Sequence, residues 1–120
     1  MKHSVDFDPN LCPVRTILAK IGDKWSILLL HELKPAKNRF SELARALPDI
    51  SQRMLTTTLR KLERDGLVSR HVTPSIPPRV DYTLTALGHS LLTPLDQLSA
   101  WAATHKAEID ANRIAYDGHN

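Results

Sequence analysis

Apolar residues recur every three or four positions through the first half of the chain, which is the spacing of amphipathic helices. A first helix is predicted to start at Pro13, a favoured first-turn residue, and to stop at Gly22. A second helix is predicted over "KWSILLLHEL", residues 24–33, with Asp23 as its cap. Its apolar positions cover more than one face, so we expect this helix at the centre of the core.

Two more helices follow the turn "KPAKNRF", which has room for one very short strand. The third helix is predicted to use Ser41 as its N-cap and to end before Pro48, which cannot continue a helix. The fourth lies in "ISQRMLTTTLRKLERDGLV", residues 50–68, and should end at Gly66. The first half of the chain therefore predicts closely spaced short helices.

After Gly66 the hydrophobic period changes to that of extended chain, and residues 67–73 and 80–85 predict two strands. The second strand alternates Val80, Tyr82 and Leu84 against Asp81 and Thr83. The intervening "PSIPPR" is too long and too rich in proline for a two-residue turn. The pattern indicates a wing-like hairpin with a stiff projecting loop.

A long amphipathic segment begins at Ala86. Pro94 lacks a backbone donor, so the helix should bend there or restart with Thr93 as its cap. The apolar face is longer than a core of this size would cover, which predicts a partner subunit. Its members are Leu87, Leu91, Leu95, Leu98, Trp101, Ala102 and Ile109.

Short helices followed by a two-stranded hairpin predict a winged helix-turn-helix, mainly α with a small β-hairpin (α+β). The N- and C-terminal helices are additional to that unit. We assign the domain, including these helices, to residues 12–110. Residues 1–11 and 111–120 are predicted to be flexible tails.

The fourth helix has two chemically distinct faces on a wheel of about 100° per residue. Leu55, Leu59 and Leu62 form the stripe that should be buried. The opposite face carries arginines, which can bind guanine or phosphate, and threonines, which can contact bases or backbone. Ser51 and Gln52 lie at the helix start, and Arg79 lies at the predicted wing tip. The predicted DNA-binding residues are Ser51, Gln52, Arg53, Thr56, Thr57, Arg60, Arg64 and Arg79.

Composition narrows the function without deciding it. The 120 residues are 42% hydrophobic, which suits one domain, and 16 Lys and Arg against 13 Asp and Glu give a mild net charge of +3. No run is apolar enough for a bilayer span or a signal peptide, so a cytoplasmic protein is expected. The six histidines include no i, i+3 or i+4 pair, and no phosphate loop or nucleophile elbow is present. We expect no metal, no cofactor, no catalytic residue and no enzymatic activity.

The segments "CPVRTILAKIGDKWSILLLHEL", "RFSELARALPDISQRMLTTTLRKLERDGLVSR" and "PPRVDYTLTALGHSL" together resemble the HxlR-type family of bacterial winged helix-turn-helix regulators. The resemblance covers about residues 12–105. It implies a homodimeric transcription regulator that binds double-stranded DNA, with its first and last helices at the interface. Two recognition helices would then occupy successive major grooves of a roughly palindromic operator, about 34 Å apart or a multiple of that distance.

Cys12 is the single cysteine, which excludes an internal disulfide. A lone cysteine before a helix is often a small packed residue, yet the helix dipole and Arg15 would favour its reactive thiolate. The family resemblance implies that a cysteine before proline here can sense aldehydes, quinones or reactive oxygen and chlorine species. Both interpretations of Cys12 stay open, and sensing could proceed through a disulfide to its symmetry mate, a small-thiol adduct or alkylation.

The alternative function is a winged-helix module that binds a protein or a small ligand and does not bind DNA. Such a module should carry acidic or apolar residues where this chain has Arg53, Arg60 and Arg64. Their charge favours the DNA-binding hypothesis.

Overall fold

The helices and strands lie in the predicted order. The computed structural model describes residues 13–119. Within them a three-stranded antiparallel sheet of order β1-β3-β2 packs beside the helices. The elements are α1 (Pro13–Ile21), α2 (Ser26–Glu32), β1 (Asn38–Arg39), α3 (Phe40–Ala46), α4 (Gln52–Arg64), β2 (Val68–Thr73), β3 (Arg79–Leu84) and α5 (Ala86–Gly118). None of the helices in residues 13–119 is long and apolar enough to cross a membrane.

The core is built mostly from leucine. Leu29 and Leu30 of α2 are fully buried, which confirms the central place predicted for this helix. The stripe predicted for α4 is also buried and packs in the same cluster. Thr58 shares this buried face, although the sequence pattern did not assign it there. Burial of one α4 face holds the opposite face outward.

The beginnings of α2 and α3 differ in detail from the prediction. Asp23 does cap the second helix, because its Oδ1 accepts hydrogen bonds from the backbone N–H groups of Trp25 and Ser26 at 2.9 and 2.8 Å. The prediction that Ser41 caps α3 is wrong. The helix already starts at Phe40, and the Glu42 carboxylate accepts a hydrogen bond from the Arg39 backbone N–H at 2.8 Å.

The hairpin forms as predicted, and β1 adds a short third strand. Thr73 pairs with Arg79 at the open end of β2 and β3, so the proline-rich loop spans residues 74–78. Tyr82 and Leu84 are buried as the alternation predicts. Asp81, which alternates with these apolar residues, is buried as well, in the central strand between β1 and β2.

A tight junction joins the end of α4 to the start of α5. Gly66 adopts φ +78°, a left-handed conformation that favours glycine, and ends α4 as predicted. Thr85 caps α5 by accepting a hydrogen bond from the Gly88 N–H at 3.0 Å, and its hydroxyl donates to the Gly66 carbonyl at 2.6 Å. At Gly88 a Cβ would lie only 2.2 Å from the Leu67 carbonyl oxygen. The missing side chain therefore permits this close approach.

Helix α5 is continuous through Pro94, so the predicted alternative of a restart capped by Thr93 is wrong. The helix also includes residues 111–118, beyond the domain boundary predicted at residue 110. Leu92 and Leu95 pack in the core. The apolar side chains that remain exposed along α1 and α5 include Val14, Ile17, Leu18, Leu87, Leu98, Trp101 and Ile109.

Candidate nucleic-acid interface

Both ends of α4 are defined by local hydrogen bonds. At its start the Ser51 hydroxyl accepts a hydrogen bond from the Met54 N–H at 3.0 Å. At its end the Leu67 N–H donates to the Leu62 carbonyl at 3.0 Å, and the Gly66 N–H donates to the Glu63 carbonyl at 3.0 Å. These two hydrogen bonds form a Schellman motif. Hydrogen bonds therefore fix both the start and the end of α4.

The outward face of α4 carries the side chains that the wheel placed there. Arg53, Thr57, Arg60 and Arg64 are exposed, as are Ser51 and Gln52 at the start of the helix. Thr56 is half-buried, and its hydroxyl donates to the Gln52 carbonyl at 3.0 Å. The helix therefore presents three guanidinium groups on the side opposite the leucine stripe.

The arginines of α4 differ in their surroundings. Arg60 and Thr56 line a cleft of about 310 Å³ between α4 and the sheet, and Arg70 and Tyr82 line its other side. Glu63 also borders this cleft and adds a negative charge there. Arg53 and Arg64 lie outside it. The structure thus divides the predicted set into an arginine that faces the sheet and two that lie on the open surface.

A carboxylate fastens α4 to the start of α2. Asp23 Oδ2 accepts hydrogen bonds from Lys61 Nζ at 2.6 Å and from the Ser26 hydroxyl at 2.6 Å. Burial opposes ionisation of Asp23, but the hydrogen bonds from Lys61, Ser26 and Trp25 outweigh it and hold its pKa well below the ordinary value. The sequence revealed Asp23 as a cap, but its bond to Lys61 depends on tertiary packing.

Arg79 lies at the first residue of β3, at the base of the loop and not at its tip as predicted. Its Nε donates to both carboxylate oxygens of Asp81, at 3.3 and 3.1 Å. In the sheet register Asp81 lies directly opposite Arg39 on β1 and His71 on β2, so their side chains share one face. The wing thus surrounds one buried carboxylate with basic groups.

A second cleft, of about 650 Å³, separates α3 from the wing loop. Arg39 and Arg79 line it together with hydroxyl groups of Ser41 and Ser75. Arg39 is not among the residues predicted from the sequence, because a two-residue strand leaves no periodic signal. Its place beside Arg79 makes it a further basic group of the wing.

Cys12 lies outside the described residues. Among residues 13–119 no group of three or more His, Cys, Asp or Glu side chains is arranged to hold a metal ion. The basic side chains of α4 and the wing therefore form the candidate site.

A rod-like helix with a basic outer face, followed by a basic two-stranded wing, defines the winged helix-turn-helix class of DNA-binding regulators. Residues 20–110 match the HxlR-like helix-turn-helix family. The chain belongs to this family, and it is a transcription regulator with a helix-turn-helix fold.

The relatives extend over most of the chain. An HTH-type transcriptional regulator of Methanothermobacter thermautotrophicus is 51% identical over 94 residues, which are 78% of this chain and 72% of that protein. The regulator YybR of Bacillus subtilis is 40% identical over 115 residues, 94% of this chain and 92% of YybR. The redox regulator HypR in its reduced form superposes with a TM-score of 0.78 at 39% identity, covering 82% of this chain and 98% of HypR.

Proposed function

We propose that the protein is a homodimeric, sequence-specific regulator that inserts α4 of each subunit into the major groove of a palindromic operator. The observation that carries this proposal is the exposed set Arg53, Arg60 and Arg64 opposite a fully buried leucine stripe. A helix of this kind fits the major groove, where arginine gives forked hydrogen bonds to guanine.

The contacts within the molecule suggest different roles for the eight candidate residues. The start of α4 exposes Ser51 and Gln52, and its outer face exposes Thr57. All three would meet phosphate or base edges. Thr56 has its hydroxyl hydrogen engaged by the Gln52 carbonyl, so it would act as an acceptor or through its methyl group. Arg79 has Nε engaged by Asp81, which leaves its terminal nitrogens for phosphate.

The exposed apolar side chains of α1 and α5 support the homodimer. Leu18, Leu98 and Trp101 each expose about half of their surface, at 55%, 55% and 51%. A contiguous exposed apolar surface typically marks an interface. A second copy that covers these three side chains would set two α4 helices at a fixed spacing, as a palindromic operator requires.

We further propose that Cys12 senses oxidants or electrophiles. Cys12 immediately precedes α1, and the chain is similar to HypR, a redox regulator. In one route two Cys12 thiols lose two protons and two electrons to hydrogen peroxide, which is reduced to two water molecules as one disulfide forms. Aldehydes or quinones would instead alkylate the thiol.

Operator binding tests the DNA-reading role. Arg53→Ala or Arg60→Ala should lower affinity by about 1–3 kcal/mol and relax preference at one base pair if the arginine reads guanine. Arg113→Ala, on the exposed C-terminal part of α5, is the matched control and should leave affinity unchanged. Affinity should also fall steeply with salt. Binding that does not depend on salt, or no binding to the DNA immediately upstream of the coding region, would favour a protein- or ligand-binding module.

Cys12→Ser tests sensing independently of DNA recognition. The variant should bind the operator like the parent under reducing conditions and keep that affinity after treatment with peroxide or a quinone. The parent should change its affinity under the same treatment. An identical response of the two proteins would rule out Cys12 as the sensor.

A further inference from the structure

A cavity of about 370 Å³ that is partly open to solvent lies where α1, the end of α4 and the start of α5 meet. Its walls are mostly apolar and include Ile17, Leu67, Leu87, Leu91 and Pro94. The volume and the composition are those of sites for small organic molecules, which combine apolar walls with a few polar groups.

The polar groups of this cavity are Lys20, Asp65 and Ser90. Asp65 Oδ2 is buried and accepts no hydrogen bond from any residue between 13 and 119. The nearest charge to the other oxygen, Oδ1, is Lys20 Nζ at 3.9 Å, which is beyond hydrogen-bond distance. The Ser90 hydroxyl donates to the Leu87 carbonyl at 2.7 Å, so its hydrogen is already engaged. A buried carboxylate oxygen that receives no hydrogen bond from the protein is costly, so a ligand that donates to it gains affinity there.

The charges beside the cavity narrow the chemistry of that donor. A cationic ligand would be repelled by Lys20, and an anionic ligand would be repelled by Asp65. A hydroxyl group suits both residues, because its hydrogen can be donated to Asp65 Oδ2 while its oxygen accepts from Lys20 Nζ. The apolar walls require that the rest of the ligand be apolar.

We propose that this cavity binds a small, uncharged, largely apolar molecule with one hydroxyl group, an alcohol or a phenol. The hydroxyl is held by Asp65 and Lys20, and the apolar part packs on Ile17, Leu87 and Leu91. Binding is non-covalent and does not involve Cys12.

The position of Asp65 links the cavity to the recognition helix. Asp65 is the residue that ends α4, and Leu67, two residues later, is fastened to α5 by the hydrogen bond from the Thr85 N–H to its carbonyl at 3.1 Å. A ligand that contacts Asp65 and α5 together favours one orientation of α4 relative to α5. Operator affinity changes if the two subunits bind DNA better in another orientation. This last step rests on the proposed function, but ligand binding itself does not.

Binding is measured on the full chain without DNA, by following backbone amide signals in NMR spectra during titration. The probes are 4-ethylphenol and ethylbenzene, which differ only in the hydroxyl group. We expect saturable binding of 4-ethylphenol, with shifts centred on Asp65, Leu67 and residues 87–94. It should bind about tenfold more tightly than ethylbenzene, because a hydrogen bond to a charged group is gained. Absence of saturable binding, or shifts centred on residues 98–109, would overturn the proposal.

Substitutions then locate the hydroxyl. Asp65→Ala should reduce the preference for 4-ethylphenol over ethylbenzene from about tenfold to about one. Ser90→Leu should fill the cavity and weaken both probes. Asp110→Ala, which removes an exposed carboxylate elsewhere on α5, is the control and should keep the preference. If Asp65→Ala keeps the tenfold preference, the hydroxyl does not bind there and the assignment is wrong.

The effect on DNA is measured separately, with saturating 4-ethylphenol and the operator. A changed affinity that Ser90→Leu abolishes supports coupling through the cavity. If the ligand binds but operator affinity does not change, only the coupling is refuted. If the unliganded protein binds no operator at all, the proposed function is refuted and the NMR result still stands.

Discussion

Asp23→Ala should destabilise the protein by about 2 kcal/mol at neutral pH, through three separate losses. Loss of a helix cap costs about 1 kcal/mol. The Ser26 hydroxyl, which is fully buried, loses its acceptor at a cost of about 1 kcal/mol. The bond to Lys61 adds only a few tenths, because both side chains are more than one-third exposed and solvent screens the pair.

Urea unfolding at a fixed protein concentration measures this loss, and the midpoint should fall by about 1 M. Asp110→Ala is the matched control, because Asp110 accepts a hydrogen bond from Lys106 at the same 2.6 Å but caps no helix. It should shift the midpoint little. Equal midpoints for the two variants would refute the role assigned to Asp23.

The pH dependence of the same measurement has a definite sign. The pKa of Asp23 is lower in the folded protein than the ordinary value of 3.8, so folding favours the ionised form. Its contribution is complete above about pH 5 and is lost as pH falls below 4 toward the lowered folded pKa. The difference in stability between the parent and Asp23→Ala should therefore shrink between pH 5 and pH 3. A constant difference over that range would contradict the hydrogen-bonding account.

Three further predictions concern single side chains. The Gly88→Ala variant should melt at a much lower temperature than the parent, because its Cβ would lie 2.2 Å from a backbone oxygen. The control Gly118→Ala adds a Cβ that meets nothing within 4 Å, so its melting temperature should match that of the parent. Leu98→Glu should convert the proposed dimer to a folded monomer in analytical ultracentrifugation; an unchanged mass would place the interface elsewhere. Asp81→Ala should lower the free energy of unfolding in urea by about 1 kcal/mol, since a charge-assisted pair with the half-exposed Arg79 is lost. A urea midpoint equal to that of the exposed control Asp49→Ala would contradict this.

The sequence predicted most helices and strands because leucine spacing reports burial directly. The stripe of Leu55, Leu59 and Leu62 could be assigned without coordinates, since one face of an exposed helix must be apolar. Gly66 was equally predictable, because few other residues adopt its backbone angle. Local pattern thus located the recognition helix and the residues on its outer face.

Features that depend on neighbouring elements were not predictable in this way. Alternation set Asp81 against the apolar residues of its strand, but β1 adds a strand beside β3, and Arg39 and His71 then flank Asp81 on both sides. The hydrogen bond from Lys61 to Asp23 joins residues far apart in sequence. The burial of the unpaired Asp65 oxygen likewise depends on neighbouring elements. No periodicity reports such a contact.

The burial of Asp81 also changes how charge is distributed over the candidate interface. Arg39, His71 and Arg79 all lie around this one carboxylate, which offsets part of the positive potential of the wing. Between residues 13 and 119, Arg53 and Arg64 form no salt bridge, whereas Arg79 pairs with Asp81. Because unscreened guanidinium groups attract DNA most strongly, α4 should supply most of the affinity and the base readout. In the proposed complex with DNA, the wing, with Arg79 held by Asp81, would be a fixed phosphate contact that orients α4 in the groove.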